Sequence, residues 1–188
     1  EGTEMDPTNF LVYSGQSDSP FTSGFNTRLR FREFSFGADF VVLLGRKTRL
    51  HNPFTTQERL PSPYTNMDRE LLNRWKKPGD DTNIPAFYSG KTSSTVTLPN
   101  GSMESMYNMW GYSDIRVVDG SFLRCSQLSL SWTADHKVCS VLHLSDLTLS
   151  VMANNVFVVC DKRFNGFDPE LGNSVMPLIF TFGLNIGF

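Results

Sequence analysis

Long hydrophobic runs are missing from this chain. Its apolar stretches, such as Phe40 to Leu44, end far short of the ~18 residues a membrane-crossing helix needs. Charge of one sign is missing too. The net charge over 188 residues is −2, and no basic stripe marks a nucleic-acid surface. Cysteine is scarce: Cys125, Cys139 and Cys160 form no CxxC pair, and an odd number leaves at least one thiol unpaired. A zinc site or a disulfide framework is therefore not expected, and the three read as isolated small side chains. His51, His136 and His143 are scattered, with no metal-ligand spacing, so no metal and no cofactor is expected. The first residues, Glu-Gly-Thr-Glu-Met-Asp, have neither a basic end nor an apolar stretch and do not read as a signal peptide. No Gly-x-Ser-x-Gly elbow is present, and Gly90-Lys91-Thr92 lacks the earlier glycine of a phosphate loop, because position 85 is proline. No enzyme chemistry is expected.

What is present is phenylalanine, 16 of them, set in patterns of period two. In the final segment Leu178, Phe180, Phe182, Leu184, Ile186 and Phe188 share one face of a strand. Thr181, Gly183, Asn185 and Gly187 share the other, with Ile179 the exception. Leu147, Leu149, Val151, Ala153 and Phe157 alternate with Thr148, Ser150, Met152 and Asn154, and the Asn154-Asn155 pair suggests a bulge. Leu128, Leu130 and Trp132 alternate with Gln127, Ser129 and Ser131. Phe25, Thr27, Leu29 and Phe31 alternate with Asn26, Arg28, Arg30 and Arg32. A tight turn at Arg32-Glu33 leads to Phe34, Phe36, Ala38, Phe40 and Val42. The fold is therefore expected to be all-β, with antiparallel strands over about 21–32, 34–45, 117–133, 147–159 and 176–188.

One face apolar and aromatic, the other small and polar, suits strands between lipid and water. The connections alternate in length: a tight turn, a long stretch over 46–116, a modest turn, then a stretch over 160–175. Transmembrane barrels show this alternation of short periplasmic turns and long extracellular loops. Five crossings that start from an external segment over 1–20 end in the periplasm. Phe31, Phe34, Trp132 and Phe188 then mark a periplasmic aromatic girdle. Asn26, Arg28, Arg30, Asp39 and Gln127 face the lumen, with Asn26 opposite Asp39 and Arg28 diagonal to it. That polar lining reads either as a lumen wall against a plug or as a site for anionic groups. Thr181, Gly183, Ile186 and Phe188 also match the terminal signal of outer-membrane barrels, read by the barrel-assembly machinery. Five strands cannot close a membrane barrel, whose smallest examples have about eight, so further polypeptide is required in the same or a second chain.

Several stretches resemble the SusC/RagA-type TonB-dependent transporters of Bacteroidota outer membranes. They are Phe21-Thr22-Ser23-Gly24-Phe25-Asn26-Thr27 with Phe34-Ser35-Phe36, Leu71-Leu72-Asn73-Arg74-Trp75 with Thr82-Asn83-Ile84-Pro85, Val118-Asp119-Gly120-Ser121-Phe122-Leu123-Arg124, Gly166-Phe167-Asp168-Pro169-Glu170, and the final strand. They run in family order over nearly the whole chain. The resemblance implies the last five strands of a barrel of about 22 strands, located in the outer membrane, with its loops extracellular and its C-terminus periplasmic. It also implies a plug outside this sequence, a SusD-like surface lipoprotein as lid, drive through TonB, and an oligosaccharide or oligopeptide as cargo. The rival reading is a secreted carbohydrate-binding β-sandwich, which also gives alternating strands.

The residues around 65–77 suggest a helix capped by Thr65 or Asn66. Its apolar face is Leu71, Leu72 and Trp75, and Pro78-Gly79 ends it. That face either packs locally or meets the lid or the cargo. Tyr107, Trp110 and Tyr112 form an aromatic cluster, either for cargo or lid contact or as an upper girdle. Asp161, Asp168 and Glu170 lie in one loop without calcium-loop spacing and read as solvated. Asn100-Gly101 reads as a turn.

Overall fold

The computed structural model describes residues 11–54, 64, 66–87, 95–98 and 101–188. The expectations on Thr65, Gly90-Lys91-Thr92 and Asn100 lie outside those residues. In chain order the described elements are β1 (Phe21–Phe31), β2 (Phe34–Leu44), β3 (Lys47–Arg49), β4 (Thr95–Thr97), β5 (Met103–Ser105), α1 (Met106–Tyr112), β6 (Val117–Asp119), β7 (Phe122–Thr133), α2 (His136–Leu142), β8 (Asp146–Cys160) and β9 (Ile179–Gly187). The chain divides into two compact units, residues 16–46 with 119–188, and 1–15 with 47–118.

The first unit is one five-stranded antiparallel sheet in the order β1-β2-β7-β8-β9. A two-residue turn joins β1 to β2, and Arg32 there takes a left-handed φ of 53°. The register fixes the faces. Phe31, Phe34, Trp132, Leu149 and Leu184 form one cross-strand row. Leu29, Phe36, Leu130, Val151 and Phe182 form the next row on that face, and Thr27, Ala38, Leu128, Ala153 and Phe180 the third. The register then shifts at Asp39/Phe40 and at Cys125/Gln127, where Asn155 has a φ of 56°. The asparagine pair thus sits at a bulge.

Two strands begin later than their alternation suggests. Asp119 accepts from the backbone N–H and the hydroxyl of Ser121, a local turn that delays β7 to Phe122. Pro177 has no N–H to give the ladder, so β9 starts at Ile179, and the Pro177 carbonyl accepts from Asn155 instead. Between β7 and β8 the chain forms α2. Asp135 caps it by accepting from the Val138 N–H at 3.0 Å, and His143 ends it with a φ of 56°.

The second unit holds the small sheets β3-β6 and β4-β5, helix α1, and a core of Phe54, Leu71 and Tyr107. Over residues 66–77, the described part of the expected helix, no α-helix forms. A 3-10 turn over Arg69–Asn73 stands there, capped by Asp68, which accepts from the Glu70 N–H at 2.8 Å. Bonds from more distant residues compete with helix continuation. The Thr82 hydroxyl donates to the Asn73 carbonyl, and the Trp75 N–H donates to the Ile84 carbonyl. Leu71 is consequently buried while Leu72 is exposed, so no single apolar face results.

Candidate functional site

The five-stranded sheet presents two chemically opposite faces, and neither is covered by a second layer within its unit. On the apolar face Leu29 is 63% exposed, Phe180 59%, Phe182 78% and Leu184 62%. Contiguous apolar surface on this scale marks contact with lipid or another apolar partner. A groove of about 410 Å³ on this face is lined by Phe34, Leu130, Trp132, Leu149 and Phe182. Of the expected girdle, Phe31, Phe34 and Trp132 stand in one row. Phe188 lies beyond β9, four residues past Leu184 in that row, or about 13 Å along the strand line.

The polar face carries Asn26, Asp39, Gln127 and Asn154 in one row. The neighbouring rows are Arg28, Gly37, Ser129 and Met152, and Arg30, Ser35, Ser131, Ser150 and Gly183. Glycines at two of these positions sit close under serine hydroxyls of the next strand. A Cβ at Gly37 would come within 2.5 Å of Ser129 Oγ, and one at Gly183 within 2.4 Å of Ser150 Oγ. Arg32 does not continue the arginine column, since it occupies the turn with its guanidinium over the Phe31 ring at 5.3 Å.

A loop is tied to this sheet by one buried arginine. Arg124 on β7 meets Asp168 at 2.8 Å and 3.0 Å and Glu170 at 2.6 Å, and it also donates to Met176 Sδ. Burial opposes ionisation of Asp168. The Arg124 hydrogen bond, the N–H groups of Glu170 and Leu171 and the guanidinium charge outweigh it and hold the carboxyl below its usual range. Asp168 is therefore not the solvated loop acid its sequence setting suggests. Asp161 pairs locally with Arg163 at 3.1 Å. Among the described residues no cluster of three metal-ligating side chains exists. The anchor was not legible locally, because the two carboxylates lie 44 and 46 residues from Arg124 in the sequence.

In the loop unit, Tyr107 is 2% exposed and stacks on Phe54 at 4.3 Å, with its hydroxyl donating to the Ala86 carbonyl at 2.9 Å. Tyr107 thus supports the unit's packing instead of presenting a contact. Trp110 meets Phe54 edge-on at 5.4 Å, and its indole N–H donates to the Asn83 carbonyl. Arg116 stacks over Trp110 at 4.4 Å and pairs with Glu70, and it also donates to the His51 carbonyl. Tyr112 is apart from this cluster, 76% exposed with Arg49 over its ring, and Trp75 is 40% exposed.

No family model matches the chain. It is 24% identical over 156 residues to the TonB-dependent receptor P3 of Formosa agariphila, which covers 83% of this chain and 13% of that receptor. Its fold matches part of the RagAB peptide transporter (TM-score 0.61, 22% identity, 94% of this chain and 18% of that one). The RagAB peptide importer matches in its closed-closed state with a TM-score of 0.62 and 22% identity, again over 94% of this chain and 18% of that one. In its open-open state it matches with 0.59 and 20% identity, over 92% and 17%. The chain spans under a fifth of each of these relatives. In sequence and fold it resembles a barrel portion of the SusC/RagA-type TonB-dependent transporters.

Proposed function

We propose that this chain supplies the last five strands of an outer-membrane importer barrel of about 22 strands. Its apolar rows face lipid, its polar rows line the lumen, and its long loops shape the external mouth. The carrying observation is the open, two-faced sheet. Strands of 9 to 15 residues match the ~9–11 needed to cross a bilayer at a tilt. Among the described residues both outer strands of the sheet, β1 and β9, have one unpaired edge, which in lipid costs several kcal/mol per orphan group. Strands outside this sequence close the wall, and a plug outside it fills the lumen and takes force from TonB. A SusD-like lipoprotein covers the mouth, and the cargo is an oligopeptide or oligosaccharide. The RagAB likeness favours peptide. A β-sandwich would bury the apolar face under a second sheet, and within this unit the described residues offer none.

Phe180 lies two rows above the Trp132 row, about 13 Å along the strand and about 10 Å deep at the usual tilt. In the complete transporter Phe180→Arg should cost about 2–4 kcal/mol and deplete the protein from the outer membrane. Asn185→Arg, on the polar face, should assemble. Equal assembly of both variants, followed by outer-membrane fractionation, would remove the lipid assignment.

A further inference from the structure

The loop that Arg124 anchors lies on one particular face of the sheet. The register shift at Asp39/Phe40 puts its extra residue, Ser126, on β7, so β2 alternates unbroken. Val41 therefore shares the polar face with Asp39, and its partner Arg124 stands on that face too. Burial agrees. Phe122 and Arg124, on the polar face, are buried, whereas Leu123, Phe157 and Val159, on the apolar face beside them, are exposed. Arg124 is covered by Asp168, Glu170 and Met176 of the segment between β8 and β9. Phe164 and Asp168 of that segment are themselves buried. A cavity of about 210 Å³ lies where the segment arches over the sheet, lined in part by Arg124, Val158, Gly166, Asp168 and Met176. The segment is also closed on itself. The Asp168 N–H donates to the Ser174 carbonyl at 2.8 Å, and the Gly172 N–H donates to the Asp168 carbonyl at 2.8 Å. Asp168 thus closes the turn with its backbone and fastens it to the sheet with its side chain.

We infer that residues 161–178 fold inward as a constriction of the importer's mouth, held on the lumen wall by the Arg124–Asp168 pair, and that they select cargo by its cross-section. This rests on the reading of the polar face as an importer's lumen. Arg124 stands eight residues up β7 from Trp132, about 27 Å along the strand and about 20 Å in depth at the usual tilt. The apolar band of a barrel is about 25 Å tall, so the anchor sits below the outer rim and the segment descends inside the wall. A self-closed turn fixed there narrows the path by its own width. It passes a slim extended chain more readily than a bulky or branched one. Arg124 and Asp168 are positioning residues, because their charges are taken up by each other and they act through the turn they hold.

The test uses cells carrying the complete transporter, with cells lacking it as background, and follows uptake by mass spectrometry of the medium. Two probe pairs each hold a slim and a bulky member. One pair is the hexapeptide Ala-Gly-Ala-Gly-Ala-Gly and its counterpart Ala-Trp-Ala-Trp-Ala-Trp. The other is linear maltohexaose and a branched glucose hexasaccharide of the same mass. Wild type should favour the slim member of the pair it imports. Asp168→Asn should raise the bulky-to-slim uptake ratio about tenfold, as a loss of about 1.4 kcal/mol in holding the turn down gives. Glu170→Gln, at the more exposed acid, should leave the ratio within about twofold. If Asp168→Asn fails to reach the outer membrane, Arg124→Gln/Asp168→Asn carries the same expectation, since it leaves no lone charge buried at the anchor. An unchanged ratio, with the slim probe still imported, overturns the constriction and leaves the importer reading standing. An equal fall of both members, at normal outer-membrane yield, shows a merely structural anchor and overturns the constriction too. If wild type imports no member of either pair, the importer reading falls and the constriction falls with it.

Discussion

Asp168→Asn should release the loop over 161–178 from the sheet. Arg124 and Asp168 side chains are 7% and 3% exposed, and two oxygens of Asp168 face the guanidinium. Breaking a buried pair by removing one partner costs about 3–5 kcal/mol, because the remaining charge stays buried. Glu170 still holds one Arg124 nitrogen at 2.6 Å, which lowers the expectation to about 2–4 kcal/mol. At 1.4 kcal/mol per decade, the open population of the loop should rise about 30-fold or more. Hydrogen exchange in the assembled transporter reads this directly. The Gly172 N–H bonded to the Asp168 carbonyl, and the Asp168 N–H bonded to the Ser174 carbonyl, should lose protection in that proportion. Glu170 is 40% exposed, so Glu170→Gln should cost under about 1 kcal/mol. The pH dependence has a definite sign. Asp168 has its carboxyl lowered in the folded state from an unfolded value of about 3.9, so its contribution is complete above about pH 4. It is lost only as pH falls through the lower folded value. Exchange of this loop should therefore show no anchor-dependent change between about pH 5 and 8. Wild-type protection in Asp168→Asn, or an equal loss in Glu170→Gln, would refute the anchor.

Tyr107→Ala should cost the loop unit about 3–5 kcal/mol through the cavity beside Phe54 and Leu71, seen as faster exchange over 66–87. Tyr112→Ala, at an exposed site, should stay within about 0.5 kcal/mol. Deleting Phe188 from the complete transporter should reduce its outer-membrane yield if Thr181, Gly183, Ile186 and Phe188 act as an assembly signal. Unchanged yield would exclude that role.

The all-β sheet and the sense of its two faces were legible because side-chain alternation is a local property. Period two in Phe25 to Phe31 and in Phe180 to Phe188 needs no knowledge of neighbours. The tight turn also set the Asn26–Asp39 pairing in advance, since a two-residue connection leaves one register. The loop segments were less legible. The stretch over 65–77 has helical spacing, yet hydrogen bonds from Thr82 to Asn73 and from Trp75 to Ile84 end it after a single 3-10 turn. Tyr107 and Trp75 looked alike as aromatics near a loop. One became the centre of a core and the other stayed half-exposed.

By itself the sequence determined that five strands are apolar on one side and polar on the other, because each residue's face follows from counting along the backbone. Only the tertiary structure decided which charges are satisfied. Arg124 found two acids from a loop more than forty residues away. An ion pair depends on where distant segments arrive in space, and no local pattern of side chains encodes that arrival.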